Sequence, residues 1–228
     1  MKRIEACDRN GQRNRGQGRT GWHRRWSFLV FVVLLVSGCG LGKNKPYVVK
    51  QYLLEYPPPA VEGLKPGNEP ITVKHFFVGK AFSTTEMVYR QDPYLYQSDP
   101  YNQWMVSPGL MVSGYLTRDL TRSGIFRAVF ASDSVEPTRY VLQGRVDEFL
   151  ESNQDGISKA VLGLSVILLD ATRGAVPGSV VFQRDYRILE PLPEKTSVAF
   201  AQAMSKAMEQ FSRLLLADLS KVINESKP

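Results

Sequence analysis

Cysteine and histidine are scarce in this chain of 228 residues, with two of each. Cys7 and His23 lie in an N-terminal segment that reads as a leader, so the remainder keeps only Cys39 and His75. One cysteine cannot form an internal disulfide, and one histidine cannot build a His/Cys metal site. Neither a Gly-x-Ser-x-Gly elbow nor a His-Glu-x-x-His pair occurs. A lone histidine in a strand-like run, as at His75, is more often structural than catalytic. Asp147 and Glu148 are adjacent acids in a strand-like run. Regular alternation would send them to opposite faces, so they are not expected to form an acid/base pair. These absences argue against an enzyme. Long apolar runs are missing too. The longest, Trp26 to Val36, covers about 11 residues, against the roughly 20 that a membrane-crossing helix needs.

That short run sits in a recognisable context. Residues 1–25 carry Lys2, Arg3, Arg9, Arg13, Arg15, Arg19, Arg24 and Arg25 against Glu5 and Asp8. A basic segment, a short apolar core and a small-residue cleavage site mark an export signal. Arg24-Arg25-Trp26-Ser27-Phe28 approximates a twin-arginine signal with its Phe one place late, so the general export route is favoured. Val36-Ser37-Gly38-Cys39 resembles the lipobox of bacterial lipoproteins. The resemblance implies cleavage before Cys39, a diacylglyceryl thioether on its sulfur and acylation of its new N-terminus. A plain signal peptide with an incidental cysteine is the alternative. Gly40 follows the cysteine where an Asp would signal inner-membrane retention, so the expected location is the outer membrane, facing the periplasm.

Removing the leader changes the charge. The whole chain has 29 basic and 22 acidic residues; eight and two of them lie in residues 1–38, leaving 21 and 20. The basicity therefore belongs to the leader, and the folded part offers no basic stripe for nucleic acid. Residues 40–46 form a short tether reaching about 25 Å at most. Residues 47–228 are long enough for one domain with its own core.

Within that domain, residues 47–56 read as a strand ended by Pro57-Pro58-Pro59, and 71–78 as a second. Residues 85–104 are rich in tyrosine and broken by Asp92-Pro93 and Asp99-Pro100, which predicts short strands at 87–90 and 94–97. Ser107-Pro108 predicts a helix start, with serine capping and proline at the first helical position. Leu110, Val112, Leu116 and Leu120 form its apolar side, and Ser123-Gly124 its end. Strands are expected at 126–130, 140–146, 160–169 and 180–188, with 160–169 central and hairpins at 153–156 and 173–178. A terminal helix over 197–223 carries Ala201, Met204, Met208, Phe211, Leu215, Leu219 and Val222 as one stripe. Core packing is the expected role of its methionines. Together these elements predict an α+β fold: a mixed, largely antiparallel sheet packed against two main helices.

The densest aromatic cluster is Tyr89, Tyr94, Tyr96, Tyr101 and Trp104, with Arg90 among them. Aromatics and arginine are common interface anchors. They also close cores, and the residues alone leave both readings open.

The order of elements, with the strings Tyr52-Leu53-Leu54, Ile71-Thr72-Val73, Met87-Val88-Tyr89-Arg90, Tyr94-Leu95-Tyr96, Tyr101-Asn102-Gln103-Trp104 and 140–149, resembles the ABC-type transport auxiliary lipoproteins, including those like paraquat-inducible protein C. The chain departs from that pattern after Trp104, where Met105-Val106 precede Ser107-Pro108. The resemblance implies a non-catalytic lipoprotein without cofactor. Its partner would be the MCE-type substrate-binding protein of an ABC system that moves lipids or other hydrophobic compounds. It also leaves a homo-oligomer open. The other reading is a lipid-binding or outer-membrane assembly lipoprotein that itself holds a hydrophobic ligand.

Overall fold

The structure, a computed structural model, describes residues 47–174 and 178–225. The segment 1–46, including Val36, Ser37, Gly38 and Cys39, lies outside the described residues. Among the described residues nine strands and two long helices follow in chain order: β1 Lys50–Tyr52, β2 Pro70–Val73, β3 Phe77–Val78, β4 Glu86–Arg90, β5 Tyr96–Trp104, α1 Pro108–Ser123, β6 Ala128–Phe130, β7 Tyr140–Ser152, β8 Lys159–Asp170, β9 Val180–Pro191 and α2 Ser197–Glu225.

The long strand β7 organises the sheet. One edge pairs antiparallel with β8 along its whole length, and β8 pairs antiparallel with β9. The other edge receives β2, β3 and β4 in succession, all parallel. β5 returns antiparallel along β4, β1 lies parallel on β5, and β6 lies parallel on β2. The predicted mixed α+β sheet is therefore found, with β8 central and the longest ladders antiparallel.

Both helices cover one face. Helix α2 contains no glycine or proline and many strong helix formers. Thr196 caps it: Ala199 N–H donates to Thr196 Oγ1 at 3.1 Å. Its stripe from Ala201 to Leu219 is buried, including Met204 and Met208, so both methionines are core residues. They belong to one buried cluster with Phe149, Leu162, Leu164 and Tyr186 from the strands. Helix α1 ends at Gly124, whose φ of 68° is the left-handed conformation glycine adopts without strain.

Several local expectations are corrected. Strand β1 is far shorter than 47–56, because β5 ends at Trp104 and leaves Leu53 and Leu54 without a ladder partner; Met105 N–H makes the last bond, to the Tyr52 carbonyl at 2.9 Å. The run 71–78 is two strands. Between them Phe76 is buried, and its N–H donates to Ser113 Oγ of α1 at 2.9 Å. Gly109 permits this approach: a Cβ there would lie 2.3 Å from the Phe76 carbonyl oxygen. Strand β6 begins at Ala128, because Phe126 turns into the core. Ser107 does not cap α1 through its side chain; its carbonyl accepts from Met111 N–H. Leu110 is exposed, and Met111 takes the core position beside Val112.

The largest correction is at Asp99-Pro100, which does not end a strand. The register with β4 jumps between Glu86↔Gln103 and Met87↔Asp99, so residues 100–102 bulge out of β5. The Asp99 carboxylate holds the bulge by accepting from Tyr101 N–H, Asn102 N–H and Asn102 Nδ2. Side-chain bonds to local N–H groups replace the ladder that proline cannot join.

Candidate interaction surface

The aromatic cluster proves to be one hairpin, β4–β5, and the hairpin sorts its members by side. Trp104 is 1 % exposed, edge-on to Phe149 and Phe200. It is a core residue, and its expected role in a partner surface is corrected accordingly. Tyr89 also turns inward. Its ring lies 6.0 Å from that of Phe200 and its hydroxyl meets Ser197 Oγ at 3.4 Å. Burial pushes the Tyr89 hydroxyl pKa up, so it stays protonated. Arg90 is pinned at the sheet: Nη1 reaches Glu148 Oε1 at 3.5 Å and Nη2 donates to Ser152 Oγ at 3.3 Å.

The other three tyrosines face solvent. At the turn, Asp92 Oδ1 accepts from both Tyr94 and Leu95 N–H at 2.8 Å. This fixes a tight tip with Tyr94 95 % exposed and Leu95 and Tyr96 exposed beside it. The Tyr96 ring lies 6.4 Å from Phe82, which supports the stem. Tyr101 stands apart on the bulge, 4.7 Å from the Tyr47 ring, while the Tyr47 hydroxyl donates to the Pro100 carbonyl at 2.5 Å. The sequence cluster thus becomes an inward pair, a pinned arginine, a two-tyrosine tip and a separate tyrosine at the start of the domain. Leu95 belongs to the tip although sequence reasoning passed over it; its place in a turn between two tyrosines was the available signal.

The uncovered face of the sheet is polar. Asp147 and Glu148 share it, against the expectation from simple alternation, because the β7 ladder slips between Val146 and Glu148. Asp147 accepts from Ser165 Oγ at 2.7 Å and pairs with Arg145. Glu148 accepts from Arg187 Nε at 2.6 Å and lies over Gly163. Ser165 and Gly163 are two apart on β8, hence on the same face. A groove of about 610 Å³ runs across this face, lined by Phe77, Gln143, Arg145, Ser165, Ile167, Gln183 and Asp185. The polar members of the β7 and β9 alternation were its signal; the exposed Phe77 at its rim had none. Both acids are held by arginines, Asp147 by Arg145 and Glu148 by Arg187. His75 is exposed between β2 and β3. Among the described residues no group of three or more His, Cys, Asp or Glu is placed to hold a metal ion. No described helix is long and apolar enough to cross a membrane.

The inner face carries a buried polar lock. Asp119 Oδ2 accepts from Tyr56 Oη at 2.8 Å and Ser212 Oγ at 2.7 Å, and Oδ1 meets Arg118 at 2.8 Å. The Arg118 guanidinium lies 4.4 Å from the Tyr56 ring centre and 4.7 Å from that of Tyr115. This lock joins the segment after β1 to both helices. A second apolar groove of about 300 Å³ opens beside it, between Leu53, Val106 and Leu110.

Solved structures share the fold. A Xanthomonas campestris protein of the DUF330 family superposes with a TM-score of 0.68 at 18 % identity, covering 77 % of this chain and 98 % of that one. A second protein, described as uncharacterized, gives a TM-score of 0.58 at 16 % identity, covering 75 % and 99 %. No curated protein matches the chain. The family model described as the ABC-type transport auxiliary lipoprotein component matches residues 52–215, from β1 well into α2, and the chain belongs to that family.

Proposed function

We propose that this protein is a non-catalytic lipoprotein, tethered through lipid on Cys39 to the periplasmic face of the outer membrane. There it docks the MCE-type substrate-binding component of an ABC transporter for lipids or other hydrophobic compounds. The observation that carries the reading is the family match over residues 52–215. The lipobox-like Val36-Ser37-Gly38-Cys39 supports the tether. The β4–β5 tip supports the docking: Tyr94, Leu95 and Tyr96 are large, exposed and held by Asp92 in a preformed turn.

The alternative, a domain that itself encloses a hydrophobic ligand, gains little from the larger groove. Five of its lining residues, Gln143, Arg145, Ser165, Gln183 and Asp185, are polar or charged, whereas apolar-ligand sites are mostly apolar.

The test is co-purification of the intact lipoprotein from detergent-solubilised envelopes with the transporter proteins encoded beside it. Capture of an MCE protein is expected, and Tyr94→Ala with Tyr96→Ala should reduce it at least tenfold, since hot-spot losses run to about 2 kcal/mol or more. Capture undiminished by that double change would remove the tip from the interface, and no MCE protein in the wild-type sample would sink the partnership.

A further inference from the structure

We infer that the β1 edge of the domain lies against the lipid bilayer, through an apolar strip running from Val48 to Leu110. The inference rests on the lipid anchor at Cys39 proposed above.

Among the described residues β1 is an open edge of the sheet, paired with β5 alone. Exposed apolar side chains concentrate along it and at the chain reversal beside it: Val48, Leu53, Met105, Val106 and Leu110. Met105 N–H bonds the Tyr52 carbonyl, which brings Met105 beside Leu53. Val106, Leu110 and Leu53 then flank the groove of about 300 Å³, whose floor includes Met111 and Gly114. Gly114 has open space where a side chain would stand.

The position of the strip selects its occupant. The described chain begins at Tyr47, which the Tyr101 ring and the Pro100 carbonyl hold at the start of this same edge. Eight residue steps from Cys39 to Tyr47 span roughly 28 Å at most. From Tyr47 to Leu53 an extended chain covers about 20 Å. A bilayer holding the lipid of Cys39 is therefore within reach of the whole strip. The tether makes the encounter intramolecular, so modest apolar contact suffices to orient the domain. The rim chemistry agrees. Tyr47 and Tyr101 are half-exposed, and Lys50 is exposed between them and Leu53. Tyrosine and lysine of this kind favour the headgroup layer. Glu55, exposed two positions past Leu53, marks the polar end of the strip, and its N–H ties the backbone there to Ser205 Oγ of α2. The Phe77 groove lies on the opposite, β7–β9 side of the sheet order and serves as the internal control.

The test uses the full lipoprotein, processed in cells and reconstituted into phosphatidylethanolamine/phosphatidylglycerol vesicles whose acyl chains carry bromine. With Cys39 blocked by lipid, Leu110→Cys and Phe77→Cys each accept one fluorophore. Loss of Leu110→Cys emission on bromolipid, with Phe77→Cys emission unchanged, is the expected result. Unquenched Leu110→Cys emission in protein whose mass shows acylated Cys39 overturns the inference. So does a Leu110→Cys probe shielded from aqueous iodide yet blind to bromolipid, because a second copy or a protein partner then covers the strip. A mass without acyl groups sinks the tether reading separately; in a Cys7→Ser, Cys39→Ser background bromolipid quenching of Leu110→Cys still upholds the strip, and its absence overturns it.

Discussion

Trp104 and Tyr94 belong to one hairpin, ten positions apart, and meet opposite fates. At the stem, Trp104 joins Phe149 and Phe200 in an edge-to-face trio beneath α2. At the tip, Tyr94 is held out by its backbone alone, through the Asp92 carboxylate. The stem has a helix over it, and no described helix covers the tip. Residue type is nearly the same in both places, so the covering layer, rather than aromatic character, decides which side chain stabilises the fold and which remains available to a partner.

The strongest way to break that comparison is to truncate both regions. Phe200→Ala should cost about 3–5 kcal/mol, since it opens a cavity against Trp104 and Phe149. Tyr94→Ala should change stability by less than about 0.5 kcal/mol. Urea denaturation followed by circular dichroism reads both. Comparable losses would mean that the tip is packed in solution and not free.

A polar counterpart sharpens the contrast. Asp119→Ala leaves Tyr56, Ser212 and Arg118 without their shared acceptor in a buried site. A loss of about 3 kcal/mol is expected. Tyr56→Phe, which removes one donor and keeps the ring against Arg118, should cost about 1 kcal/mol. A Tyr56→Phe loss equal to that of Asp119→Ala would show that the carboxylate matters only through Tyr56.

The smallest effects are those of pH, and they again separate two buried sites. Burial pushes the Glu151 carboxyl above the ordinary glutamate value. Burial would raise Asp170 too, but hydrogen bonds from the Thr172 hydroxyl, Arg139 and the Thr172 N–H outweigh it and hold that carboxyl below the ordinary aspartate value. The signs are opposite. The stability from Asp170 is complete above the unfolded value near pH 4 and is lost as pH falls through the lower folded value. The stability from Glu151 is complete below its unfolded value near pH 4 and is lost as pH rises through the higher folded value. Asp170→Asn should flatten the acid limb of a stability–pH profile and lower stability at pH 7. Glu151→Gln should flatten the decline above pH 4 and raise stability at pH 7. Thermal melts from pH 3 to 8 distinguish them, and parallel profiles for the two variants would refute the assignment.

Much of the architecture was legible because it repeats a period. The α2 stripe recurs at three and four residues, the β7 and β9 alternation at two, β8 is apolar on both faces, and each stretch is long enough to average out exceptions. The hairpin was legible as an aromatic cluster but not as a surface, because burial of Trp104 depends on Phe200, nearly a hundred residues later. Asp99-Pro100 misled for a local reason. Proline usually ends a strand, and nothing in the string announces that a carboxylate will satisfy three N–H groups and let the strand resume. Leu110 misled by one position, since Phe76 approaching Gly109 fixes how α1 is rotated.

The sequence by itself determined that the chain pairs a sheet with two amphipathic helices, that nearly all its excess of basic over acidic residues lies in the first 38 residues, and that it has few of the histidines and cysteines most site chemistries use. These are properties of composition and short-range periodicity, which no distant contact alters. Only the tertiary structure decided that Asp147 and Glu148 share a face, that the aromatic cluster divides into core and tip, and that apolar side chains flanking β1 are exposed among the described residues. Each depends on register or on which layer lies above, and both are set by residues far away in the chain.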